Sequence, residues 1–272
     1  MAAPQLSLLP PPPRRDAAVA ELRRLVHGLE RAAAAPAVRP AEDHAVPLGL
    51  AALDRALPGG GLGLGALHEV VPASPAGADA GAGAGFVAAL LARLLAGGVA
   101  GPVLWCLSDA VRRETGTPYA PGLAGFGLDP GRLLFARARR DADVLWAMRE
   151  GLGCAALAAV VGEAEAAVDL AASRRLQLAA GASGVPGLLL WRRPAGVAPS
   201  AALTRWRVAA APGLVHSPEG PGRPRWRVGL ERCRGGVPRT WLLEWRHETG
   251  DFALAAALPD RSAEPVPARL AG

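Results

Sequence analysis

Lysine, isoleucine and asparagine are all absent from this 272-residue chain, so its thirty cationic side chains are all arginine. The three absences together read as codon bias from a GC-rich genome, and the preference for arginine then carries no argument for bidentate recognition. The missing lysine still has a chemical consequence. It removes the cation with which a phosphate loop grips the β and γ phosphates of a nucleotide. Cysteine is scarce: Cys106, Cys154 and Cys233 are odd in number, far apart and without a C-x-x-C pair, which predicts free thiols in a reducing compartment. The five histidines, His27, His44, His68, His216 and His247, show no metal-ligand spacing, and His68-Glu69 has no second histidine one turn on; zinc chemistry is not expected. Nor is there a G-x-S-x-G elbow. No long uninterrupted apolar run occurs either. Residues 86 to 107 approach membrane length, but Arg93, Gly97-Gly98 and Gly101-Pro102 interrupt them, and a helix followed by a strand is the expectation. The first residues lack the basic start and apolar block of a signal peptide. The sequence therefore predicts a cytoplasmic protein with no membrane contact.

What is there centres on residues 47 to 109. A short amphipathic segment, Ala51 to Leu57, leads to a glycine cluster (Gly59, Gly60, Gly61, Gly63, Gly65) and an apolar run, Ala66 to Val71. Residues 72 to 85 are almost entirely Ala, Gly, Pro and Ser. Phe86 is expected to open a helix, with Val87, Leu90, Leu91 and Leu94 on one face. A second apolar run, Val103 to Leu107, ends at Ser108-Asp109. Strand, glycine-rich loop, helix and strand make a βαβ unit with its loop where phosphate loops sit. With Gly85 as the last glycine of a G-x-x-x-x-G-K-[ST] loop, Phe86 takes the lysine slot, Val87 the hydroxyl slot, and Ala80 the place of the first glycine. Asp109 stands where a water-activating acid would follow the second strand. Glu163 closes a later apolar run where a magnesium-binding acid would lie, or where an ordinary helix cap would lie. A dinucleotide fingerprint through Gly81, Gly83 and Gly85 is the rival, but its spacing and its distance from the strand are wrong.

The remaining elements alternate. Residues 1 to 13 are proline-rich, and Asp16 to about Ala35 reads as an amphipathic helix that either packs on its own core or docks on another protein. Pro36 to Pro47 reads as a linker. Residues 112 to 129 look irregular; a strand at 133 to 136, a helix at 141 to 151, a strand at 154 to 161, a helix at 166 to 180 and a strand at 187 to 191 follow. From residue 203 the apolar period changes to two, predicting antiparallel strands at 203 to 209, 225 to 232 and 240 to 246. The predicted class is α/β: a mainly parallel sheet flanked by helices, then an antiparallel extension. The boundaries are 1–46 for the start, helix and linker, 47–258 for the core (parallel part 47–191, basic antiparallel part 192–258), and 259–272 for a tail.

The net charge of +6 has a location. Residues 192 to 272 hold thirteen arginines against seven acids, while residues 1 to 191 balance at seventeen of each sign. Arginine and tryptophan interleave there: Trp191-Arg192-Arg193, Arg205-Trp206-Arg207, Arg225-Trp226-Arg227 and Trp245-Arg246. Arginine on phosphates and tryptophan on bases would suit single-stranded nucleic acid; tryptophans filling the inner face of a sheet would give the same pattern. Trp226 and Trp245 are assigned to the core. Arg192, Arg193, Arg205 and Arg207 are the candidate contacts for DNA or a partner.

Several stretches together resemble the ImuA family. They are Pro47 to Asp54 with the glycine turn and His68-Glu69; Ala120 to Pro130 with Arg132-Leu133-Leu134; Ser173 to Ala180; and Thr204 to Val208. The resemblance covers roughly residues 45 to 258. It implies a RecA-like (P-loop NTPase-type) core, and a role as accessory factor in damage-inducible, error-prone translesion synthesis of the SOS response. It implies work beside ImuB, a Y-family polymerase homologue, and an error-prone C-family DNA polymerase, with RecA and single-stranded DNA as further partners to consider. Since the loop lacks its lysine, the expectation is a non-catalytic adaptor with no cofactor and no metal. Gly81, Gly83, Gly85, Phe86 and Val87 would mark the degenerate loop, and Asp109 and Glu163 the vestigial acids. A RecA-like ATPase with an unconventional loop and a plain single-stranded DNA-binding module are the rival readings.

Overall fold

The computed structural model describes residues 44–74, 78–165, 168–192, 199–213 and 222–255. The expected N-terminal helix and the tail from residue 259 lie outside the described residues. A two-residue strand, β1 (Ala45–Val46), pairs antiparallel with β2 (Leu62–Gly63), and between them runs a single helical turn, α1 (Ala51–Asp54). The main body then follows as β3 (Leu67–Pro72), α2 (Ala78–Ala96), β4 (Val103–Ser108), α3 (Asp109–Thr115), α4 (Ala120–Ala124), β5 (Leu133–Ala138), α5 (Asp141–Leu152), β6 (Ala159–Ala164), α6 (Leu170–Ser183) and β7 (Gly187–Trp191). Four strands close it: β8 (Thr204–Ala210), β9 (Arg225–Cys233), β10 (Arg239–Arg246) and β11 (Asp251–Leu254).

Nine of these strands form one sheet in the order β5-β4-β6-β7-β3-β8-β9-β10-β11. From β5 to β8 every pairing is parallel, and from β8 to β11 every pairing is antiparallel. This is the RecA-like α/β arrangement that the sequence predicts. The central parallel strands β4, β6 and β7 are near-continuous apolar runs, because helices cover both of their faces. Strand β5 at the sheet edge alternates instead, with Phe135 and Arg137 exposed. Along β4, Val103, Trp105 and Leu107 pack with α2, whereas Leu104 and Cys106 pack on the opposite side with α5 and α6. The antiparallel strands alternate instead: Trp226, Val228 and Leu230 of β9 join the core and Arg227 and Glu231 face solvent. Trp226 and Trp245 are core residues, as expected.

Several boundaries differ from the expectation. The stretch 112 to 129, read as irregular, carries the end of α3 and all of α4, and β5 runs on to Ala138. Helix α2 opens at Ala78, eight residues before Phe86. The Ala/Gly tract reads as a loop by composition, but alanine is the best helix former and tertiary packing carries the glycines among it. A Cβ on Gly83 would stand 3.0 Å from Leu190 Cδ1, and one on Gly85 3.3 Å from Trp226 Cζ2; the missing side chains let this helix lie close on the sheet. Strand β6 starts at Ala159 and continues through Glu163 to Ala164, so the glutamate lies within the strand. Helix α6 begins later than expected, at Leu170, where Asp169 caps it by accepting the Ala172 N–H at 2.6 Å. Strand β11, absent from the sequence reading, is short and has only two strongly apolar residues, Phe252 and Leu254.

Among the described residues one helix, α2, is long and apolar enough to cross a membrane; more than half of its apolar window is buried inside the protein.

Candidate functional site

In an open α/β sheet, ligands gather at the carboxyl ends of the strands where the connections diverge. Here the chain leaves β3 through α2 towards β4, and returns from β7 past β3 to β8. A phosphate loop would run from the end of β3 into the first turn of α2, where helical N–H groups point outward. β3 ends at Pro72 and α2 opens at Ala78. The residues at the loop-to-helix junction are therefore Ala78 and Asp79, not Phe86 and Val87. Asp79 is already engaged, since its Oδ1 accepts the Ala210 N–H at 2.7 Å and ties the helix to the end of β8.

The assignment of Gly81, Gly83, Gly85, Phe86 and Val87 to a loop is thus corrected: all five lie inside α2. Phe86 and Val87 are fully buried. The Phe86 ring sits 5.6 Å from Trp206, 6.0 Å from Trp226 and 5.7 Å from Phe252. It is the hub through which α2 grips the antiparallel strands.

Close to the start of α2 lies a buried ion pair. Arg192, just after β7, donates from Nε to Glu163 Oε2 at 2.8 Å and from Nη2 to the same oxygen. Its Nη1 donates to the carbonyl oxygen of Ala80 in the first turn of α2, at 2.9 Å. The other carboxylate oxygen of Glu163 accepts the indole N–H of Trp105 at 2.7 Å. Burying a carboxylate and a guanidinium this deep is costly unless their partners replace the lost water, and here both carboxylate oxygens have partners. Neither Glu163 nor Arg192 faces solvent: their side chains are 1% and 7% exposed.

A second buried pair lies between β3 and β8. Glu69 accepts from Arg205 Nε at 2.8 Å and from the Ser200 hydroxyl, while the Arg205 guanidinium lies over the Trp191 ring, 4.9 Å from its centroid. Beside it the buried ring of His68 meets Thr204 Oγ1 through Nδ1 and the Gly63 carbonyl oxygen through Nε2, each at 2.8 Å. Burial lowers the His68 pKa to about 4, against a partial opposing pull from the Gly63 carbonyl. The ring is therefore neutral at pH 7, with Nε2 donating and Nδ1 accepting.

The predicted nucleic-acid contacts are corrected accordingly. Arg192 and Arg205 are internal, each matched to a strand carboxylate, and neither can reach a phosphate. Arg207 is half-exposed and pairs with Glu231. Arg193 lies outside the described residues. Asp109 opens α3, where it pairs with Arg137 at 3.5 Å and Arg112 at 3.6 Å. It lines an open cleft of about 510 Å³ together with Arg113, Arg139, Arg140 and Asp143. Glu163 stands opposite Leu107 of β4, two residues before Asp109, but the two acids differ in setting: Asp109 is part-exposed beside Arg112 and Arg137, whereas Glu163 is buried against Arg192 and Trp105. No group of three His, Cys, Asp or Glu able to hold a metal occurs among the described residues. Burial raises the Cys106 thiol to about 12, which makes it unreactive.

No protein-family model matches the chain. Two proteins named ImuA do, one from Caulobacter vibrioides strain NA1000 / CB15N and one from strain ATCC 19089 / CIP 103742 / CB 15. Each is 41% identical over 221 residues, covering 76% of this chain and 87% of the relative. The chain belongs to the ImuA family. Membership supports a role in the ImuA/ImuB damage-induced mutagenesis system.

The ImuA-like stretch Ser173 to Ala180 falls on α6, and its inward residues have structural tasks. The Ser173 hydroxyl accepts the Ala201 N–H at 3.0 Å, and Leu176 and Ala180 fill the core. Gln177 reaches across to the start of β3, accepting the Leu67 N–H at 2.9 Å and donating to the Gly65 carbonyl at 3.3 Å. In this ImuA-family chain the sequence reading missed Glu69, Ser200 and the His68–Thr204 contact. One signal was present: a glutamate in the middle of the apolar run 66–71 must find a cation if that run is a buried strand.

Proposed function

We propose that this protein is a non-catalytic, RecA-fold accessory factor of damage-induced error-prone DNA synthesis. On this reading it works by holding partner proteins, an ImuB-like Y-family polymerase homologue and an error-prone C-family DNA polymerase, and not by turning over a nucleotide. RecA and single-stranded DNA are further partners of the same assembly. The observation that carries the reading is the Glu163–Arg192 pair. The acid that a nucleotide enzyme would keep for magnesium is neutralised by an arginine from the same chain, and that arginine is anchored on the first turn of α2. Three further features support it: the chain has no lysine, alanine and aspartate stand at the loop-to-helix junction, and an aspartate carboxylate repels phosphate where a hydroxyl would bind magnesium.

The test is a titration of the full chain with ATP, with and without magnesium, followed by a turnover assay. Neither saturable binding at micromolar ATP nor turnover above buffer is expected. Micromolar binding with turnover abolished by Asp109→Ala would establish the enzyme instead. Co-purification with the two polymerase-related proteins supplies the positive half: a stable complex is expected, and its absence sinks the adaptor reading.

A further inference from the structure

We infer that the solvent face of α6 is a docking surface for an acidic, leucine-bearing segment of a partner protein. The proposal rests on the accessory reading above, and it names the surface and the chemistry of its occupant. The inward residues of α6 are accounted for by the core and by the Gln177 clamp. The outward residues are not. Leu170 and Leu178 are 52% and 57% exposed, and Arg174 lies between them on the same helical stripe, at i, i+4 and i+8. Ala171, Arg175 and Ala182 flank that stripe and are also exposed. From Leu170 to Ser183 the helix contains no acidic residue, and neither Arg174 nor Arg175 has a hydrogen bond or ion pair among the described residues. Some exposed arginines elsewhere are paired with carboxylates, as at Arg137, Arg140, Arg149 and Arg223. Others, such as Arg227, Arg239 and Arg246, have no ion pair among the described residues. What sets α6 apart is that its two uncompensated arginines lie beside two exposed leucines on one helical face.

Two leucines bracketing two uncompensated guanidinium groups select an occupant. Carboxylates meet arginine through paired, charge-assisted hydrogen bonds, and apolar side chains remove the leucines from water. Nucleic acid satisfies only half of this, because its phosphates would meet the arginines while the leucines stayed uncovered, and the face carries no aromatic ring for a base to stack on. A second copy fits poorly, since a two-fold contact through this face would set arginine against arginine. The segments of this chain outside the described residues fit poorly too. Residues 1–43 hold six arginines against five acids, and residues 256–272 hold two of each. Neither segment is acidic. A separate protein with an acidic amphipathic segment remains the occupant of matching chemistry.

The experiment compares the full chain with R174E/R175E and with L170S/L178D in capture of the ImuB-like protein and of the C-family polymerase. All four positions are exposed, so thermal midpoints should stay within a few degrees of the parent. Both variants should lose capture of one partner at least tenfold, and reversing the charge of an acidic segment in that partner should restore binding to R174E/R175E. If the parent chain captures neither protein, the accessory reading falls and this proposal with it. If the parent captures a partner and both variants do so equally well, the α6 proposal alone falls. Loss of single-stranded DNA binding in R174E/R175E with partner capture intact would overturn it in favour of a nucleic-acid face. Loss of self-association in sedimentation with capture intact would overturn it in favour of a second copy.

Discussion

Arg192 joins the first turn of α2 to the middle of the sheet. One of its terminal nitrogens donates to the Ala80 carbonyl at 2.9 Å, while the rest of the guanidinium faces Glu163. Where a nucleotide-binding relative would use the space near a helix start to receive an anion, this chain places its own cation there, already neutralised. That contact ties the first turn of α2 to the buried carboxylate of β6.

Breaking the pair from one side is therefore costly. Arg192→Met leaves the Glu163 carboxyl buried with only the Trp105 indole for company. A loss of about 3–5 kcal/mol is expected, the usual range for stranding one member of a buried pair. The double variant Glu163→Gln with Arg192→Met keeps an acceptor for Trp105 and removes both charges, and it should recover most of that loss. Urea unfolding of the three chains checks the prediction. Equal stability of all three would show that the pair is open to water.

His68 makes the fold sensitive to acid. Its folded pKa of about 4 lies below the ordinary 6.5, so between these values the unfolded chain binds a proton that the native ring does not. Stability from this residue is complete above about pH 6.5 and declines as pH falls towards 4, by roughly 3 kcal/mol in all. Unfolding free energy measured at pH 7.5, 6, 5 and 4 should show the decline, and His68→Gln should flatten the slope in that window relative to its own value at pH 7.5. An unchanged slope would mean that the ring is not buried neutral.

Phe86 and Gly81 separate a helix from a loop. If Phe86 is the aromatic hub, Phe86→Ala should cost about 3–5 kcal/mol through lost burial and the cavity left among Trp206, Trp226 and Phe252; a residue in an open loop would cost far less. Gly81→Ala should stabilise by about 0.5–1 kcal/mol, because the position is helical and nothing lies within 4 Å of the added methyl. At Gly83 the same change brings the methyl to 3.0 Å from Leu190 Cδ1, and the gain should shrink or reverse. Thermal melts of the three variants give the comparison.

These residues also show what could be read in advance. The strand runs 103–107 and 187–191 and the alternating stretch 225–230 announce themselves by period, so the sheet and its change from parallel to antiparallel follow from pattern alone. Residues 78–85 do not, because alternating alanine and glycine satisfy the composition of a loop and the packing needs of a close-lying helix equally well. Glu163 reads as a strand terminator until its partner is known. That partner is 29 residues on in sequence, beyond α6 and β7, and the only hint of it is that a carboxylate beside an apolar run needs a cation. Arg192 and Arg205 stand next to tryptophans in sequence, which suggested a surface for bases. In space the same neighbours make a lining: Arg205 lies over Trp191, and Arg192 shares Glu163 with Trp105.

The strand order has a consequence for how the protein is made. Among the described residues β3 is the first long strand to leave the ribosome, yet both of its neighbours, β7 and β8, come more than a hundred residues later. Until residues 187 to 210 have been synthesised, its backbone groups and the carboxylate of Glu69 have no lasting partner, and the nascent chain must tolerate an open edge at its centre. A newborn polypeptide stalled before residue 200 should therefore be protease-sensitive and chaperone-bound, whereas one released after residue 255 closes around the strand that had waited longest.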